Sequence, residues 1–117
     1  MNTMKNKVQL IGNLGINPEI RTTEAGKKWM RLSLATSENY RNAKGEKMVD
    51  TQWHNLVLWG KVAEIAEKYL DKGSEVAIEG KLISRSYLDK AGTKKYVTEV
   101  EVQELLMLGR KNGKTSE

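Results

Sequence analysis

Cysteine is absent from the 117 residues, which excludes a disulfide framework and a thiolate-bound metal. Histidine occurs once, at His54, too few for an imidazole metal site or a proton relay. Phenylalanine is missing and proline occurs once, so the flat side chains are three tryptophans and four tyrosines. No apolar run approaches the length of a membrane span, and residues 1–7 lead into a strand pattern without a signal-like core. The expectation is therefore an intracellular, soluble chain with no membrane partner. What is present is charge: 30% of residues are charged and the net charge is +5, which favours a polyanionic partner. One core suffices for a chain of this length, and a hydrophobic content of 38% suits a small, heavily solvated barrel.

Period-two patterns dominate. Residues 7–14, KVQLIGNL, place Val8, Leu10, Gly12 and Leu14 on one side, with Gly12 and Gly15 allowing the bend of a strand shared by two sheets. Pro18 marks a turn, residues 19–23 read as a short returning strand, and Ala25-Gly26 as the next turn. Residues 29–37, WMRLSLATS, turn Met30, Leu32 and Leu34 inward and Trp29, Arg31 and Ser33 outward. Residues 40–50, YRNAKGEKMVD, read as a long polar loop carrying Arg41, Lys44 and Lys47. In residues 51–59 Leu56 and Leu58 face a core, while Trp53, Asn55, Val57 and Trp59 face outward.

A helix follows Gly60, with Val62, Ile65, Ala66 and Tyr69 as its apolar stripe, Glu64 and Lys68 as an i, i+4 pair, and Gly73 in the left-handed position beyond it. Residues 74–88 bury Val76, Ile78 and Leu82 and show Lys81, Ile83, Arg85 and Tyr87. DKAGT at residues 89–93 reads as a hairpin loop, and residues 95–103 return from it, extended by residues 105–108. Residues 109–117 are expected to form a short flexible basic tail beyond a folded domain of residues 1–108. The order is three strands, a helix and two strands. This all-β pattern with one short helix between strands 3 and 4 is the connectivity of the OB-fold, a five-stranded Greek-key β-barrel.

Binding a single nucleic-acid strand requires cations along the phosphates and aromatic faces for the bases. Trp53 and Trp59 supply rings on one strand face, Tyr87 stands beside Lys81 and Arg85, and Tyr40 stands at the rim of the basic loop. Any one ring has a simpler role as core or subunit contact, but several rings opposite aliphatic faces and interleaved with cations point outward together. Arg31, Arg41, Lys44, Lys61, Lys81 and Arg85 are the candidate phosphate partners. Trp29, at the start of an outward edge, is either an added stacking surface or a ring that packs on its neighbouring hairpin, with packing the favoured reading.

NKVQLIGNLGINPEIR, LSLATSENYR, TQWHNLVLWGKVAEIAEKYLDKGSEVAIEGKL and YLDKAGTKKYVTEV, in this order and nearly without gaps, resemble the bacterial single-stranded DNA-binding protein family. The resemblance implies non-sequence-specific binding of single-stranded DNA and its protection during replication, recombination and repair. It also implies a homotetramer, a cytoplasmic, nucleoid-associated location, no cofactor and no enzymatic activity. Tyr40, Trp53, Trp59 and Tyr87 correspond to the family's stacking positions, two of them Tyr where Trp is common and Trp59 where Phe is common. By the same resemblance His54 belongs to a subunit interface. Family members commonly end in an acidic, hydrophobic-tipped tail that recruits replication and repair enzymes. Residues 110–117 are basic instead, so little recruitment is expected.

Two other classes compete. An OB-fold assembly module of a primosome-like complex would use the same rings on protein, and self-association without an effect of oligonucleotide on tryptophan fluorescence would favour it. A metal-dependent nuclease would need carboxylates such as Glu79, Glu99 and Glu101 to cluster, whereas their alternation with polar residues suits a solvated face or cross-strand pairs with lysine. No paired nucleophile and base is visible. Aromatic stacking does not separate DNA from RNA.

Overall fold

The computed structural model describes residues 5–108. Six strands and one helix follow in the order β1 (Val8–Leu14), β2 (Arg21–Thr22), β3 (Lys28–Arg41), β4 (Lys47–Trp59), α1 (Gly60–Tyr69), β5 (Glu75–Leu88) and β6 (Lys94–Met107). Hydrogen bonding runs β1-β5-β6-β4-β3, and β1 pairs again with β3, so five strands close into a barrel and β2 lies outside it on β3. All neighbours are antiparallel except β4 and β6, which meet in parallel at Leu56 and Val100. This is the expected OB-fold, with the helix between its third and fourth barrel strands.

Closure depends on β1 changing partner. From Val8 to Asn13 it pairs with β5, and at Asn13 and Leu14 with β3. Gly12 stands at that corner: a Cβ there would lie 2.1 Å from the carbonyl oxygen of Ala35. Gly80 does the same for β5, where a Cβ would lie 2.1 Å from the carbonyl oxygen of Glu101, next to a register shift at Glu79/Gly80. Backbones this close leave room for hydrogen only. Inside the ring Met30, Leu32, Leu34, Leu56, Leu58, Val76, Ile78, Val100 and Val102 form the core, each side chain supplied by the inward parity of its strand.

Several expectations are corrected. Residues 40–50 are not one loop: β3 and β4 run on to Arg41 and Lys47, leaving a turn of residues 42–46. The Asn42 Oδ1 accepts the N–H groups of Lys44 and Glu46, and Gly45 takes φ 79. The β5–β6 turn repeats this device, with Asp89 Oδ1 accepting from Ala91 and Thr93 and Gly92 at φ 84. Both hairpin arms have left the barrel, both their faces are wet, and apolar alternation disappears with the core that causes it.

Leu82 has inward parity and stands opposite the buried Val100, but it is 48% exposed because β1, which covers β5 on its other side, starts at Val8 opposite Gly80, two residues earlier. On α1 the buried residues are Ala63, Ala66 and the following Leu70, whereas Ile65 and Tyr69 are exposed. Small residues let the helix sit close to the barrel, which rotates the expected stripe. Glu64 bonds Lys28 on β3 at 3.2 Å in place of Lys68, and the Lys68 ammonium lies over Tyr69. Leu70 in extended conformation ends the helix, so Gly73, at φ 94, serves the turn that follows. The returning strand expected at residues 19–23 shrinks to Arg21–Thr22. The expected tail lies outside the described residues.

Candidate nucleic-acid interface

Strand register assembles the outward face. On β3 and β4 the pairs Trp29/Trp59, Arg31/Val57, Ser33/Asn55 and Ala35/Trp53 share one side. Trp53 is 62% exposed and its indole lies over Gly15, where a Cβ would stand 2.5 Å from the ring. Ala35 opposite and Gly15 beneath are small, so the six-membered ring comes close to Gly15 while most of the side chain stays in solvent. At the far end Trp59 meets Trp29, with centroids 6.0 Å apart and planes tilted by 30°. Trp29 is half-buried, beside Trp59 of the neighbouring strand.

The face continues across β6 to β5 through an ionic bridge. Glu99 is buried, with 3% exposure, on the outward side of β6. Its carboxylate accepts from Arg31 Nε at 2.9 Å and from Arg85 Nε and Nη2 at 3.1 and 3.3 Å. The bridge therefore spans β3, β4, β6 and β5, above the buried Val57 of β4. Burial alone pushes the Glu99 carboxyl up; the hydrogen bonds and charges of Arg85 and Arg31 outweigh it and hold the group below the usual carboxylate range. The same hydrogen bond raises Arg85. The expectation that Glu99 is solvated or paired with lysine is thus corrected: it is buried and paired with two arginines, because the wide guanidinium fork can cover it from both sides. Glu101 and Glu79 do pair with lysines, Lys81 at 3.5 Å and Lys7.

The other expected residues divide by position. Tyr87 shares the outward parity of Arg85 and is 49% exposed on the β5 arm opposite Lys95. Tyr40 is 50% exposed but pairs with Met48, on the parity of His54, so register puts it on the other side of the β3–β4 ribbon from Trp53. Arg41 bends back to donate from Nη1 to the Gly45 carbonyl at 2.8 Å. Lys44 in the turn and Lys61 in the first turn of α1 are exposed and form no ion pair with another described residue. His54 is half-buried opposite Leu34, and its Nε2 is hydrogen-bonded to Thr36 Oγ1 at 3.0 Å.

Three residues of this face escaped the sequence argument. Glu99 looked like any alternating acid. Arg21 sits opposite Trp29 across β2 and β3, and Lys27 reaches within 5.4 Å of the Trp59 ring. Only strand register, which a single sequence states weakly, could have joined them to Trp59. Among the described residues no group of three or more His, Cys, Asp or Glu could hold a metal ion, and no helix is long and apolar enough to cross a membrane.

Comparison with known proteins agrees with this geometry. Single-stranded DNA-binding protein 1 of Chlorobaculum tepidum is 47% identical over 108 residues, covering 92% of this chain and 67% of the relative. Single-stranded DNA-binding protein 1 of Xylella fastidiosa is 44% identical over 107 residues, covering 91% and 79%. The Plasmodium falciparum SSB solved in complex with ssDNA superposes with a TM-score of 0.80 at 32% identity, covering 93% of this chain and all of that one. Residues 5–108 match the family described as "Single-strand binding protein family", and the chain belongs to that family.

Proposed function

We propose that the chain binds single-stranded DNA without reading its sequence and so protects it during replication, recombination and repair. The observation that carries this is the continuous outward face of β3, β4, β6 and β5, on which exposed indoles alternate with cations. Bases stack on Trp53, Trp59 and Tyr87, each worth about 1–3 kcal/mol, and a base reaching round the hairpin edge stacks on Tyr40. Backbone phosphates meet Lys44, Lys61 and Arg41 directly. They meet Lys81, Arg31 and Arg85 on the donors that Glu101 and Glu99 leave free, so these three attract less strongly than their formal charge suggests. No step makes or breaks a covalent bond, so the chain acts as a binder and not as an enzyme.

The assembly, by this proposal, is a homotetramer in the cytoplasm at the nucleoid, with His54 at a subunit interface. Support for self-association comes from the outer side of β1, β5 and β6. There Ile11 and Leu106, 59% and 63% exposed, border an open groove of about 530 Å³. Large exposed apolar surface of this kind favours a protein neighbour.

Titration of oligo(dT) against tryptophan fluorescence at two salt concentrations tests the proposal. Quenching is expected, with a log-log salt slope of about 0.7 per neutralised phosphate. Salt-indifferent affinity that also survives Trp53→Ala would refute it, and cleavage of the DNA on incubation with magnesium or manganese would refute the non-enzymatic part.

A further inference from the structure

β2 is two residues long, both exposed, and pairs only with β3. It contributes no residue to the core, yet its register puts Arg21 on the same rung as Trp29, which is itself opposite Trp59. One row across three strands therefore reads Arg21, Trp29, Trp59. Around it the Arg21 guanidinium stands 6.0 Å and the Arg31 guanidinium 5.2 Å from the Trp29 ring centre, and the Lys27 ammonium stands 5.4 Å from that of Trp59. Arg21 and Lys27 form no ion pair with another described residue. Two abutting indoles and two uncommitted cations reproduce, at the edge beyond the barrel, the composition of the main face.

We propose that Arg21, Lys27 and Trp29 form with Trp59 an additional nucleotide subsite, in which one further base stacks on the paired indoles and the flanking phosphodiesters bind Arg21 and Lys27. The subsite rests on the single-stranded DNA reading above and extends it. It carries the strand off the barrel across β2 rather than ending it at Trp59. In the free protein the cations lie over the rings by cation–π attraction. When a base takes a ring face, the long side chains swing to the adjacent phosphate, so the ring exchanges one favourable contact for another. Trp29 and Trp59, abutting at 6.0 Å, provide a floor for the base and not a slot.

The full chain is tested with oligo(dT) of increasing length, comparing wild type, Trp29→Leu, the double variant Arg21→Gln/Lys27→Gln, and Trp53→Ala. Trp29→Leu is expected to affect the shortest binding oligonucleotides least. It should shorten the length at which affinity levels off and weaken longer oligonucleotides roughly 5- to 150-fold, the range of one lost stack. The double variant, at exposed positions that leave the core intact, is expected to reduce the log-log salt slope by roughly 1.4, two cations at about 0.7 each. If both variants keep the wild-type plateau length and slope while Trp53→Ala weakens binding, the subsite is disproved and the main reading stands. If Trp29→Leu weakens short and long oligonucleotides alike, Trp29 merely orients Trp59 and the proposal falls. Should Trp53→Ala have no effect either, the DNA reading itself fails.

Discussion

Glu99 is the residue whose environment differs most from its surroundings: a buried carboxylate on a face otherwise open to water, held by Arg31 from one strand and Arg85 from another. Because its folded-state pKa is depressed, the stability it contributes is fully present above the ordinary carboxylate range and is lost as pH falls through the lowered value. The gap in melting temperature between wild type and Glu99→Gln is therefore expected to be largest at neutral pH and to narrow as pH falls below the ordinary carboxylate range. A gap that stays constant on acidification would show that the bridge contributes nothing to folding. Removing the carboxylate also frees two guanidiniums, so the same variant should bind oligo(dT) with a steeper salt slope, read by titration at two salt concentrations. Gly15 has an equally local role. Even Gly15→Ala puts a methyl 2.5 Å from the Trp53 ring, which has to lift. Loss of affinity approaching that of Trp53→Ala is expected, with an unchanged circular dichroism spectrum. The outward indoles were legible from alternation alone. The support beneath and beside them was not, because Gly15 and Glu99 reach Trp53 and the arginines across strands that are distant in sequence.

At the scale of elements, strands that line the core were legible and strands that leave it were not. Met30, Leu32 and Leu34 alternate because one side of β3 is dry; Glu38 to Arg41 on the same strand do not, because both sides are wet. Turn chemistry survives where hydrophobic pattern fails. NAKG at residues 42–45 and DKAG at residues 89–92 carry the same device, an Asx side chain three residues ahead of a left-handed glycine. Only the second reads as a hairpin from sequence, since the first lies inside a polar stretch long enough for a loop. The helix was legible in place and length but not in rotation, since Ala63 and Ala66 outrank Ile65 where close approach to the barrel matters more than size. Gly80 shows the same priority of approach over side chain. Gly80→Ala forces a methyl against the Glu101 carbonyl, and overpacking of this kind costs about 1–3 kcal/mol. A lower urea midpoint at unchanged slope is the expected measurement.

Across the whole molecule, the aromatic and cationic face on β3, β4, β6 and β5 and the groove beside Ile11 and Leu106 on β1, β5 and β6 occupy different stretches of the barrel's outer surface. Binding and the proposed assembly are thus separable by mutation. If the proposed assembly uses this groove, Ile11→Glu with Leu106→Glu reduces the mass measured by analytical ultracentrifugation while the chain keeps its β-rich spectrum; an unchanged mass would place the proposed interface elsewhere. The barrel topology was legible in the position of one helix among strands. The double engagement of β1 was legible only as two glycines that permit a bend. That engagement also bears on synthesis. The ribosome delivers Val8–Leu14 first, yet its principal partner, Glu75–Leu88, follows the helix, and the ring closes only across that long separation in the chain. A nascent or prematurely terminated chain short of β5 has its tryptophan strand but no closed cylinder to hold it. Such a fragment presents sticky edges to its neighbours, and DNA-binding competence arrives all at once, late in translation.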